Sequence, residues 1–352
     1  MLKLICAALV SLMLAFEPTA ASAKERPHAV KKVGAKKGKA VAAKPGRQRL
    51  LLVQRNGKRF TPSRNARRLA PAIIAMTAGD RAGLNQTRDP LALASSVAFF
   101  IDQASNQILF EKNSNVALPI ASITKLMTGL IVVESGLNLD EMLTVTDADV
   151  DRHKFTSSRL RVGATMTRRD LLHIALMSSE NRAAAALGRN YPGGIGAFVA
   201  SMNAKAQQLG MTETRYVDSS GLSSENVASA RDLARLAGVA YGEPLLRQFS
   251  TDPKYVVDDG RRAKQYGNTN YLVAMPDWNI GLQKTGFINE AGRCLVMQAV
   301  IQGRNVIMVF LDSKGKQSRT ADAGRMRRWL EGQNPVGTST VVSAPEGVTQ
   351  GG

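Results

Sequence analysis

The chain has 352 residues, 44 % of them hydrophobic, enough apolar material for one large domain or two small ones. Its net charge of +19 would suit a nucleic-acid binder. Residues 24–90 alone, however, hold 18 Lys and Arg against 3 acidic residues, a net +15, so the excess belongs to one segment and no nucleic-acid partner is expected of the folded body.

The N-terminus starts Met1-Leu2-Lys3, runs apolar from Leu4 to Phe16 and reaches Ala21-Ser22-Ala23. A basic start, a short apolar core and a small-residue end describe a secretory signal peptide over residues 1–23. The apolar run falls short of the roughly 20 residues that span a bilayer. An exported protein, periplasmic or associated with the cell wall, is expected. Cys6 lies in the signal; Cys294, beside Leu295, Val296 and Met297, reads as a buried structural thiol, so stability must come from packing and not from a disulfide.

Residues 24–90 read as a basic, largely disordered arm, of low complexity through Lys31–Lys39. Leu50–Val53 and Leu69–Ile74 are short apolar pieces that could dock on the domain. The arm is either a solvated linker or an electrostatic contact to anionic envelope polymers or lipid head groups. Residues 91–332 carry the globular pattern. Ser96–Ile101 and Gln107–Phe110 predict a hairpin. Ser122–Ser135 predicts a buried helix, and Thr167–Asp170 a capping box for the next one. Further helices are predicted after Glu180, over Ile195–Leu209 and over Ser229–Ala240. Leu295–Ile301 and Asn305–Leu311 predict a second hairpin around Gly303, followed by a helix over Ser318–Leu330. Strands at both ends with helices between them imply an α+β fold, an antiparallel sheet flanked by helices with an inserted helical lobe. Residues 333–352 read as a flexible tail.

Three short motifs carry chemistry. In Ser122-Ile-Thr-Lys125 the serine and lysine are three apart at a helix start and so share a face. A serine hydroxyl needs a base to become a nucleophile, and a lysine amine serves if burial and nearby cations lower its pKa. Ser179-Glu180-Asn181 falls between two predicted helices, where Ser179 can relay a proton and Asn181 can hydrogen-bond a substrate backbone. Lys284-Thr285-Gly286-Phe287 precedes the second hairpin and suits an edge strand that binds an extended peptide. There Lys284 and Thr285 can hold a carboxylate, and Gly286 allows close backbone approach. Each motif alone is weak.

Their order, with Ser179 57 and Lys284 162 residues after Ser122, resembles the S-x-x-K, S-x-N, K-T-G signature of penicillin-binding proteins and class A β-lactamases. The neighbourhoods Leu118–Met127, Met177–Ala184, Ser229–Ala234 and Lys284–Gly292 are similar to those of the low-molecular-mass serine DD-peptidases, and the resemblance covers about Ser96–Leu330. It implies the DD-peptidase/β-lactamase-like fold and a peptidase that forms an acyl-enzyme on Ser122, with Lys125 as base, Ser179 as proton relay, Asn181 orienting substrate and Lys284 as electrostatic anchor. It places the oxyanion hole at the N–H groups of Ser122 and Phe287, and a carboxylate-binding arginine at Arg319, with Lys314, Lys316 and Arg325 nearby. The implied partners are peptidoglycan stem peptides, with β-lactam antibiotics as covalent inhibitors. Ser-Glu-Asn and the phenylalanine after Lys-Thr-Gly look like the D-Ala-D-Ala endopeptidase branch. The alternatives are a carboxypeptidase removing terminal D-Ala, a β-lactamase, and a catalytically silent wall-binding protein. No cofactor is expected, and His28, His153 and His173 lack metal-ligand spacing.

Overall fold

Apolar residues on both faces of Ser95–Asp102 make this strand (β1) a central one. It is followed by β2 (Ile108–Lys112) and the short β3 (Leu118–Pro119). The computed structural model describes residues 76–333, and the chain is already folded before β1. Helix α1 (Ala78–Arg81) is capped by Thr77, whose Oγ1 accepts from Asp80 N at 3.1 Å. Ala78 N donates to Glu290 O at 2.8 Å, and Lys112 Nζ meets Asp89 Oδ2 at 2.9 Å. Residues 76–90, which the sequence assigns to the arm, thus belong to the body. Lys and Arg dominate their upstream surroundings, and the capped turn is too short for periodicity to reveal. The expected signal peptide, the expected arm through residue 75 and the expected tail from 334 lie outside the described residues.

Next come helix α2 (Thr124–Glu134), the hairpin β4 (Met142–Thr144) and β5 (Thr165–Thr167), and helices α3 (Arg168–Met177), α4 (Asn181–Arg189) and α5 (Gly194–Gln208). Strand β6 (Val227–Ala228) pairs with β3, and α6 (Ala230–Gly242), α7 (Pro244–Thr251) and the hairpin β7 (Lys254–Asp258) and β8 (Ala263–Gly267) follow. Thr167 caps α3 as predicted, accepting from Asp170 N at 3.0 Å. The Asp170 carboxylate does not close the box; it accepts from the Tyr255 hydroxyl and from Thr167 Oγ1.

The chain ends in β9 (Asn279–Ile288), β10 (Gly292–Ile301), β11 (Arg304–Ser313) and α8 (Ser318–Gln333). The five-stranded antiparallel sheet has the order β2-β1-β11-β10-β9, which puts the Lys-Thr-Gly strand at an edge as expected. Alternation along the strands builds two cores. Val97, Phe99, Val296 and Val309 face the helical lobe and α6, while Ala98, Phe100, Leu295 and Met308 join Met326 and Leu330 of α8 on the other face. Cys294 is fully buried, and burial raises its thiol to about 12, which suits packing and not nucleophilic chemistry.

Candidate active site

A tight turn, Ala121–Ile123, sets Ser122 immediately before α2. Ala121 sits at φ +49, a left-handed conformation that costs a β-carbon residue about 1–3 kcal/mol. Two neighbours hold it there. Thr124 Oγ1 donates to Ala121 O at 2.8 Å, and the buried Asn226 donates to Thr124 Oγ1 at 3.1 Å. Gly221, at φ +81, packs against the same carbonyl: a β-carbon there would lie 1.9 Å from Ala121 O. The sharp turn sets Ser122 just outside an otherwise buried helix, and the residue is partly exposed.

One turn on, the fully buried Lys125 points its amine back at the serine, Nζ to Oγ 2.9 Å. It also donates to Asn181 Oδ1 at 2.8 Å and to the Ser220 carbonyl at 2.6 Å. Burial lowers its pKa to about 7, although Asp218 and Glu180 pull the other way. The amine therefore changes protonation near neutrality, as a base for a serine must.

Lys284 on β9 is also fully buried. Its Nζ donates to Ser179 Oγ at 3.0 Å and to Thr285 O at 2.9 Å. Its pKa falls well below the usual value through burial and then through the positive charges of Lys125 and Arg319. Ser179 occupies a left-handed φ of +60 at the sharp turn between α3 and α4. Its hydrogen bond runs to Lys284, whereas Lys125 pairs with Asn181, so the three motifs meet as two linked pairs. Thr285 Oγ1 pairs with Thr269 Oγ1 at 2.6 Å.

The β9 edge lies against the Ser122 turn. A β-carbon on Gly286 would come within 2.8 Å of Ile120 O and 3.2 Å of Ser122 N, so only glycine fits. Arg319 of α8 donates to Gly286 O at 2.7 Å, and burial lowers its pKa to about 10. Phe287 is half exposed, with the Arg293 guanidinium 4.5 Å above its ring. Lys314 and Arg325 are engaged elsewhere, with Asp80 and Asp322.

The sequence did not point to Ser220, whose carbonyl receives Lys125, or to Asn226, which binds Val217 N and Asp218 N as well as Thr124. The Asp218–Gly221 stretch has turn composition, but nothing in it names the amine it serves. Nor did the sequence show that the 151–160 segment meets the Ser-Glu-Asn turn. Thr156 Oγ1 accepts from Asn181 Nδ2 at 3.1 Å, and Glu180 accepts from Ser158 at 2.7 Å and from Arg159 at 3.2 Å. His173 is buried between Phe249 and Tyr255, while His153 is exposed. Among the described residues no cluster of His, Cys, Asp or Glu is arranged to hold a metal ion.

The model of the S11 peptidase family, described as D-alanyl-D-alanine carboxypeptidase, matches residues 84–315. The chain belongs to this family. It is accordingly a serine hydrolase with the α+β DD-peptidase fold. Among its S11 relatives it is 51 % identical over 241 residues to the D-alanyl-D-alanine endopeptidase of Pseudomonas aeruginosa, covering 68 % of this chain and 78 % of that one. It is 42 % identical over 264 residues to the D-alanyl-D-alanine endopeptidase of Escherichia coli, covering 74 % and 84 %. The crystal structure of the Streptomyces K15 DD-transpeptidase superposes with a TM-score of 0.64 at 27 % identity, over 69 % of this chain and 98 % of that one. S11 carboxypeptidases also match; that of Bacillus subtilis is 28 % identical.

Proposed function

We infer that the chain is a DD-endopeptidase of the bacterial cell wall, cutting D-alanyl cross-links between stem peptides through an acyl-enzyme on Ser122. The observation that carries the reading is the Ser122 hydroxyl 2.9 Å from a lysine amine that titrates near neutrality, beside the free edge of β9. The acyl-donor peptide adds to β9 as an extra strand. Neutral Lys125 takes the Ser122 proton as Oγ attacks the D-alanyl carbonyl carbon. The negative charge on the carbonyl oxygen is met by the N–H groups of Ser122 and Phe287, each such donor worth about 3–4 kcal/mol. The C–N bond breaks, and the leaving amine takes, through Ser179 held by Lys284, the proton that Lys125 received, which leaves Lys125 neutral again. Asn181 positions the substrate backbone, Arg319 with Thr285 receives a substrate carboxylate, and water releases the acyl group.

The identities of 51 % and 42 % to named endopeptidases, against 28 % to a named carboxypeptidase, support cross-links over terminal D-Ala as the target. Such a substrate requires export, in accord with the signal-like residues 1–23. β-Lactams, as mimics of the D-alanyl bond, acylate Ser122. Digestion of cross-linked muropeptide dimers beside monomeric pentapeptides tests the reading. Release of monomers from dimers is expected. Loss of one D-Ala from pentapeptide with dimers intact would move the assignment to carboxypeptidase.

A further inference from the structure

A cavity of about 1060 Å³ opens on the helical-lobe side of the site, with Asn181 and Ser220 on its wall but neither Ser122 nor a residue of β9. A long loop between β4 and β5 forms another part of its wall, through Asp151 and Lys154.

The loop is rigidly held. Asp151 accepts from the backbone N–H groups of His153, Lys154 and Thr156, all at 2.9 Å, and from Thr156 Oγ1 at 2.7 Å. Thr156 and Ser158 then fasten it to Asn181 and Glu180. The loop therefore belongs to the helical-lobe wall of the cleft. From it Lys154 reaches Glu290, in the turn between β9 and β10, and the two form an ion pair. Glu290 belongs to the opposite wall, four residues beyond Gly286. The pair thus ties the loop fastened to the Ser-Glu-Asn turn to the turn that follows β9. Two exposed aromatics are its neighbours in sequence, Phe155 (82 % exposed) next to Lys154 and Phe287 (50 %) three residues before Glu290. Glu290 Oε2 is buried without a hydrogen-bond partner, so Lys154 is the one side chain that hydrogen-bonds this carboxylate among the described residues.

We propose that the Lys154–Glu290 pair is a specificity-determining clasp: it stays closed over small acyl donors and must open for a peptide that extends past both sides of Ser122. The proposal rests on the endopeptidase reading. Both side chains are about a third exposed, and a pair of that kind shifts an equilibrium by no more than about fivefold. Substrate binding can open it at that cost, and the rigid loop restores it afterwards.

The test compares the full-length wild type with Lys154→Ala, Glu290→Ala and the charge-exchanged double variant Lys154→Glu/Glu290→Lys. It measures kcat/KM for cross-linked dimers and for monomeric pentapeptide, and the rate of acylation by benzylpenicillin. Each single variant is expected to raise the dimer-to-pentapeptide ratio about two- to fivefold with penicillin acylation unchanged, and the double variant to return the ratio to the wild-type value. An unchanged or lowered ratio in the single variants would overturn the clasp. So would a double variant that behaves like the singles, because the ionic contact would then not matter. Dimers left intact by a wild type that penicillin still acylates would overturn the endopeptidase reading itself.

Discussion

Burial of Lys125 should be visible as a pH profile. An ordinary lysine, with a pKa near 10.4, is neutral in only about 1 molecule in 2,500 at pH 7. Lowered to about 7 by burial, Lys125 is neutral in about half, a gain of roughly a thousandfold in the competent base. The rate of acylation by a labelled penicillin, followed by stopped flow, should therefore rise through a midpoint near pH 7 and level off above it. Lys125→Arg, whose guanidinium cannot give up its proton, should lose about a thousandfold or more. The same shift has a stability sign. The folded pKa lies below the unfolded one, so the unfolded chain binds more protons between pH 7 and 10.4, and stability should rise with pH across that window. Lys125→Met should reduce this rise, leaving the part that the buried Lys284 contributes with the same sign. Removing the buried amine relieves a penalty of up to about 5 kcal/mol. The hydrogen bonds lost to Ser122, Asn181 and Ser220 offset part of it at about 1 kcal/mol each. Lys125→Met should thus be inactive and more stable by about 1–3 kcal/mol in urea unfolding at pH 7. An acylation midpoint near pH 10, or substantial activity in Lys125→Arg, would refute the argument.

Gly286→Ala places a methyl group 2.8 Å from Ile120 O. It should cost about 1–3 kcal/mol of stability, measured by denaturant midpoint, and slow acylation by displacing the Ser122 turn. Asn226→Leu removes its hydrogen bonds to Val217, Asp218 and Thr124 and should destabilise the protein by about 2–4 kcal/mol in the same measurement. Ser179→Ala should slow both penicillin acylation and peptide turnover, because in each the nitrogen released from the broken C–N bond must take a proton; an unchanged rate on both substrates would count against the relay.

The parts of the fold that repeat locally were legible in the sequence. Both hairpins of the main sheet, the helix after Ser122 and the Thr167 cap are set by alternation, by 3.6-residue spacing and by cap chemistry within a few residues. The helix start needed the structure, because the Ala121 turn depends on Asn226 and Gly221, about a hundred residues away. The three motifs were likewise readable as a set, and the structure brings them to one cleft. Their wiring was not readable. That Ser179 bonds Lys284 while Lys125 bonds Asn181 depends on which side of β9 faces the α3–α4 turn. The segment 76–90 escaped because a single capped turn has no period, and Ser220 because a backbone carbonyl leaves no mark in a sequence.

The central claim is that Ser122 is the residue acylated. Full-length protein incubated with benzylpenicillin should gain one covalent adduct by intact mass, peptide mapping should place it on Ser122, and Ser122→Ala should gain none. An adduct on any other residue, or one that survives in Ser122→Ala, would contradict the account.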